Sequence, residues 1–278
     1  MSVIARHLIL DLVLARHPSP CSVRELIAAG KVFAMSDNSV RVAVARLVHQ
    51  DLLRSAGRGC YRMGPAAVSL AQEVRAWRQA ENRMQKWGGN FLIVYTADLG
   101  RSDRKQLREM DRALSITGFR EWRRGLYVRP DNLADELGAL QVRLHSLGLP
   151  ASALLARVDG DSLAEEGLRE LWPIETLHRQ YRDLQQRLSA SRQQAVSEDL
   201  AEAARDCFVL GDAAIRAVVF DPLLPAQWVD APQRQAFFAE VQCFEVYGRD
   251  IWMRYFAQVL PEPKTESLPL LQRESVSE

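Results

Sequence analysis

The apolar side chains of the first 65 residues change rhythm once, and that change limits what this part of the chain can become. From Val3 to Ala15 they form a helical stripe around Leu8 and Leu12, ended by His17-Pro-Ser-Pro because proline disfavours helical backbone in the residue before it. A second helix opens at the capping box Ser22-x-x-Glu25 and stops near Gly30. A third opens after Ser36-Asp37-Asn38 and runs to about Gln50, with Val40, Ala43, Val44, Leu47 and Val48 at core spacing. From Leu52 to Met63 the pattern becomes strand, turn, strand around Gly57-Arg58-Gly59. Three helices followed by a hairpin is the order of a winged helix-turn-helix. Pro65 to Lys86 reads as one further, arginine-rich linking helix.

Charge sharpens this reading. The 278-residue chain has a net charge of only +1, yet residues 1–84 hold twelve Lys and Arg against six Asp and Glu. A basic module therefore sits on a mildly acidic body, which points to a polyanion partner; a merely solvated basic surface is the alternative. On the third helix, Asn38, Val42, Ala45 and His49 lie opposite the core positions, flanked by Ser39, Arg41 and Arg46. Short polar groups and arginines near a helix N-terminus suit the major groove, where Arg grips guanine O6 and N7 and Asn grips adenine. Arg58 at the hairpin tip, with Arg54 and Arg62 on its strands, suits phosphates or the minor groove. The predicted DNA-contacting set is thus Asn38, Ser39, Arg41, Val42, Arg46, Arg54, Arg58 and Arg62. Internal salt bridges at Arg41 or Arg46, in a module that binds protein, form the competing reading.

Beyond the linker the pattern changes. Phe91–Tyr95 is a buried strand, Ser102–Thr117 an amphipathic helix, and Arg120–Arg129 one or two strands turning at Arg123-Arg124-Gly125. Asp131–Leu147 is a helix stopped by Gly148 and Pro150, and Ser152–Val158 is a last strand. This βαββαβ order is ferredoxin-like. After Gly160 the chain is mostly helical: a capping box at Ser162-x-x-Glu165, helices over Ile174–Ser191 and within Val196–Val219, a rigid bend at Asp221-Pro-Leu-Leu-Pro225, and a last helix from Asp230 to about Val259. The expected class is α+β, divided as 1–86, 87–160, 161–260 and a mobile tail 261–278. Membrane spans are not expected, because the longest apolar runs fall far short of the ~20 residues required. Four scattered cysteines without a C-x-x-C pair suggest neither zinc nor disulfides, and so a reducing cytoplasm.

Three motifs carry a family resemblance. Asn38-Ser-Val-Arg-Val-Ala-Val-Ala-Arg-Leu47 with Gly-Arg-Gly-x-Tyr61, then Gly125-Leu-Tyr-Val-Arg-Pro130, then Phe220-Asp-Pro-Leu-Leu-Pro225 resemble the PaaX-like regulators, the phenylacetic-acid-degradation repressors, over about residues 5–256. The resemblance implies a repressor, dimeric, that binds a double-stranded operator and releases it on binding phenylacetyl-coenzyme A. One departure is His49-Gln50-Asp51-Leu52, which lacks the usual glycine after the recognition helix.

For an aryl-coenzyme A effector, arginines would hold phosphates and aromatics would wall the acyl group. Trp122, Arg123, Arg124, Trp172, His178, Arg179 and Arg182 offer both, with Tyr181 beside them. The aromatic run of the last helix (Phe237, Phe238, Phe244, Tyr247, Trp252, Tyr255, Phe256) suits packing or a dimer interface. No catalytic motif is present, and no cofactor or metal is expected. A rival function is a metal-dependent nuclease, since the middle region also resembles the CRISPR-associated ferredoxin-like nucleases and Asp98 follows its first strand. A third is a coenzyme A ester-binding protein without operator specificity.

Overall fold

The computed structural model describes residues 3–100, 102–160, 167–194 and 199–260, and shows an α+β protein with two antiparallel sheets. Its first unit contains α1 (Ala5–Arg16), β1 (Cys21–Ser22), α2 (Val23–Val32), α3 (Asp37–His49), β2 (Leu53–Ser55) and β3 (Cys60–Met63). Ser22 caps α2 by accepting from the Glu25 amide at 3.2 Å, and its own amide donates to Glu25 Oε2 at 2.8 Å. Ser36 caps α3 in the same way through the Ser39 amide. The three helices close over Ile9, Val13, Leu26, Val40, Val44, Leu47 and Leu53. Close approach of α2 and α3 needs Gly30: a Cβ there would lie 2.6 Å from Val40 Cγ2.

Two features here were not visible in the sequence. β1 joins the hairpin, giving the order β1-β3-β2, with Cys21 opposite Tyr61. Asp51, within the stretch His49–Leu52 that lacks the glycine usual in the resemblance, has φ +54°. The turn after α3 therefore keeps left-handed backbone, which aspartate tolerates better than most residues.

The linker departs from the single helix expected over Pro65–Lys86. It is a 3-10 turn at Pro65–Ala67, α4 (Val68–Ala76), and two further 3-10 turns at Trp77–Gln79 and Glu81–Arg83. Trp77 and Ala80 are drawn into the core of the C-terminal helices, while Met84 pairs with Leu133. Met84 is extended (φ −79°, ψ 139°) to make that pairing, which a helix running on to Lys86 would forbid.

The second unit runs β4 (Phe91–Tyr95), α5 (Arg104–Ile116), β5 (Arg120–Arg123), β6 (Leu126–Pro130), α6 (Leu137–Leu147) and β7 (Leu154–Val158), with strand order β5-β6-β4-β7. The run Phe91–Tyr95 is apolar throughout because both faces of its sheet are covered. Leu92 and Val94 pack on α5 and α6; Phe91 and Ile93 face a cluster built around Trp172 and Trp228. Helix α6 starts six residues later than expected. Residues 131–136 are held open instead by Asp131 N–H bonding Asn90 O at 2.9 Å and Ala134 N–H bonding Arg83 O at 2.7 Å.

The third unit is α7 (Ile174–Gln193), α8 (Leu200–Val219) and α9 (Ala231–Val259). Phe237, Phe238, Phe244 and Tyr255 of α9 are buried in its core, so most of the aromatic run is internal packing. The capping box at 162–165 and the tail 261–278 lie outside the described residues. None of the described helices is long and apolar enough to cross a membrane.

A buried polar junction locks the second and third units together. Arg129, 2% exposed, donates to the carbonyl oxygens of Thr117 and Pro130 and to Asn132 Oδ1. Asn132 in turn donates to Leu223 O at 2.8 Å, in the bend between α8 and α9. Burial lowers the Arg129 pKa to about 9, still high enough to leave it charged at neutrality. In the same bend Asp221 accepts from the Tyr181 hydroxyl and, at 2.8 Å, from the Leu223 amide.

Two stability predictions follow from this packing. Asp51→Gly should raise the unfolding midpoint modestly, by about 0.5 kcal/mol, because the left-handed conformation costs glycine nothing; Asp51→Val should lower it. Arg129→Ala should cost about 3 kcal/mol or more in urea unfolding, since it orphans three buried acceptors, and Arg129→Lys should recover little because one ammonium cannot reproduce the fork.

Candidate nucleic-acid interface

Helix α3 buries Val40, Val44 and Leu47, and its period therefore turns Asn38, Ser39, Arg41, Val42, Ala45, Arg46 and His49 outward. All seven are exposed, Val42 by 40%. The N-terminal end of α3 is open to solvent, so its amides and dipole favour an anion there. Its first turn is held by Ser36, whose hydroxyl lies 2.8 Å from that of Ser39.

The hairpin continues the same basic surface. Arg54 and Arg62 are register partners on β2 and β3, and Arg58 sits between Gly57 (φ +125°) and Gly59 (φ +68°) at the tip. The tip is tied back to the start of α2 by the Val23 amide bonding Gly59 O at 2.7 Å. Like charges placed directly opposite on a sheet destabilise it. Among the described ion pairs none involves Arg41, Arg46, Arg54, Arg58 or Arg62. This surface spends folding stability on unneutralised charge, and a bound polyanion would relieve that repulsion.

The residues expected to hold an effector separate into three environments. Trp122, the bulged residue of β5, is half-buried, with the Arg123 guanidinium 4.6 Å above its ring; Arg124 is exposed at the hairpin turn. Trp122 borders the cluster that contains Trp172, which is 2% exposed and whose indole N–H donates to Gly118 O at 3.3 Å. His178 Nε2 accepts from the Asp230 amide at 3.0 Å, while Arg179 and Arg182 project into solvent. A ligand reaching Trp172 would have to open the aromatic cluster first.

Asp98 is exposed and accepts from the Tyr95 hydroxyl at 3.2 Å. Among the described residues, no group of His, Cys, Asp and Glu able to share a metal ion includes it. A nearby surface depression is lined by Thr96, Leu99, Gly100, Gln106, Leu107, Met110 and Pro150, none of them titratable. Sequence reasoning missed the Arg129–Asn132–Leu223 relay and the Tyr181–Asp221 pair. Each joins segments 40 or more residues apart in the chain, although three of their members, Arg129, Asp221 and Leu223, fall within motifs that carried the family resemblance.

The molecule is thus an α+β protein that presents an exposed basic helix and hairpin beside a helical bundle. Residues 172–254 match the family model for the PaaX-like protein C-terminal domain, which supports membership of the PaaX-like family. Among solved structures, an uncharacterized protein from Mycobacterium tuberculosis, Rv0674, is similar in fold: TM-score 0.58 at 22% identity, covering 91% of this chain and 98% of that one. A comparison with curated proteins returns no match.

The like-charge pair gives a direct prediction. Arg54→Glu, facing Arg62, should stabilise the free protein by about 0.5 kcal/mol in thermal unfolding, while eluting earlier from a heparin column in a salt gradient.

Proposed function

We propose that this protein is a ligand-responsive, DNA-binding transcriptional repressor of the PaaX-like type. In this reading residues 1–86 are a winged helix-turn-helix with its linker, 87–160 a ferredoxin-like domain, and 161–260 an effector and dimerisation domain. The observation that carries the proposal is the set of five exposed arginines, without an ion pair among the described residues, around the open N-terminal end of α3 and the hairpin. Helix α3 would place Asn38, Ser39, Arg41, Val42 and Arg46 in the major groove, and Arg54, Arg58 and Arg62 would bind phosphates or the adjacent minor groove. Acting on an operator places it in the cytoplasm.

A homodimer would bind a palindromic operator with one helix α3 in each half-site. Val246 and Met253, exposed by 65% and 49% and two turns apart on α9, give such a dimer an apolar contact. The effector would be an aryl-coenzyme A thioester such as phenylacetyl-coenzyme A. Arg123, Arg124, Arg179 and Arg182 are the candidates for its phosphates, and Trp122, Trp172 and His178 for its acyl end. Its leverage on DNA binding equals the difference in its affinity for the operator-bound and released arrangements. The nuclease reading gains no support from the solitary Asp98.

Fluorescence anisotropy of the full chain on its own promoter region tests the proposal, with and without phenylacetyl-coenzyme A. The expected result is specific binding that the thioester abolishes. Arg41→Ala and Arg58→Ala should each weaken binding, and removal of a phosphate-contacting arginine should reduce the slope of log affinity against log salt by about 1. Unchanged affinity in both variants would refute the interface. Binding that ignores the thioester would keep the repressor and discard this effector.

A further inference from the structure

His7 and Asp11 stand one turn apart on α1, so both project from the face that meets α8, where Asp212 is placed opposite them. His7 Nε2 lies 2.8 Å from Asp11 Oδ2 and 3.1 Å from Asp212 Oδ1. An imidazole nitrogen has a single direction in which to donate or accept, so it can serve only one of these oxygens well. The hydrogen-bond geometry is met toward Asp212. Asp11 Oδ2 is left buried without a hydrogen-bond partner, although the rest of its side chain is partly exposed. Three potential ligand atoms, from two helices, all lie within 4.8 Å of one another.

Octahedral coordination with metal–ligand bonds of about 2.1 Å puts adjacent donors about 3.0 Å apart. The two measured separations, 2.8 and 3.1 Å, straddle that value. One imidazole and two carboxylates suit a divalent first-row transition cation; calcium prefers oxygen donors throughout, and softer ions prefer thiolate. The partial exposure of all three side chains leaves access for waters to complete the coordination. The His7 ring is steadied by an edge-on contact with Phe208, which also meets Phe33, just beyond α2, and Trp252 of α9. Arg216, one turn beyond Asp212 on α8, is the cation facing the cluster and moderates its affinity.

We propose that His7, Asp11 and Asp212 form a binding site for a divalent first-row transition cation that joins the N-terminal unit to the C-terminal helices. Such an ion would ligate the buried Asp11 oxygen, whose His7 contact falls outside hydrogen-bond geometry, and cross-link α1 to α8. The proposal is independent of any DNA-binding role, and its test contains no DNA.

The full chain, stripped with chelator, would be titrated with Mn2+ while free ion is followed by electron paramagnetic resonance. The expected result is saturable binding of one ion per chain, displaced by Zn2+ and not by Ca2+. Asp212→Asn and Asp11→Asn should each weaken it by about tenfold or more. Zn2+ should raise the unfolding temperature of the wild type and not of these variants. Both substitutions preserve shape, and a cooperative metal-free unfolding transition in each shows that it has folded; His7→Ala then serves as a third variant. Absence of saturable binding up to about 1 mM would overturn the site. So would equal affinity in wild type and folded variants, which would put the ion elsewhere.

Discussion

A single buried guanidinium holds the arrangement of the second and third units. Arg129 leaves β6 into a space with no solvent and meets two backbone carbonyl oxygens and one side-chain amide there. Leaving such a charge without acceptors costs several kcal/mol, so the carbonyl of Thr117 at the end of α5, Pro130 and Asn132 have to be where they are together. Asn132 passes the constraint on to Leu223 O, and so fixes the bend that sets α9 against α8. Gly118 completes the fit, since a Cβ at that position would lie 2.7 Å from Pro222 O. The segments Gly125–Pro130 and Phe220–Pro225, nearly a hundred residues apart, thus become two sides of one joint.

The same logic extends toward the basic module through weaker ties. Tyr255 of α9 donates its hydroxyl to Ala28 O of α2 at 2.9 Å, and Phe33 meets Phe208 of α8 edge-on at 5.3 Å. Trp77 of the linker is buried among the C-terminal helices, where the Arg78 side chain pairs with Glu245. The exposed arginines therefore ride on α3 and the hairpin, which reach the C-terminal bundle through α2. A rearrangement of that bundle would reach α2 and, through the Gly30–Val40 contact, α3. Packed interfaces of this kind switch between discrete arrangements more readily than they deform.

Much of the candidate interface was legible in the sequence because it depends on local rules. The 3.6-residue period of Val40, Val44 and Leu47 dictates which side chains of α3 face outward. Ser22 with Glu25, and Gly57 with Gly59, carry their caps and turns within four residues. The effector region was not legible in this way. Trp122 and Trp172 come together only through a bulge in β5 and a cluster assembled from the second and third units, and the helix expected from Asp131 gave way to contacts with Asn90 and Arg83. The straight linker helix failed for the same reason: burial of Trp77 outweighed local propensity.

By itself the sequence determined the α+β class, the boundaries of the long helices and the segregation of positive charge onto the first 84 residues, all consequences of spacing and composition. Tertiary structure alone decided the charge environment of individual groups. Arg54 opposite Arg62, Arg129 in its cage of carbonyls, and His7 between Asp11 and Asp212 depend on register or on contacts between distant helices. Electrostatic energy varies with distance and burial, and neither is written in the order of residues along a chain.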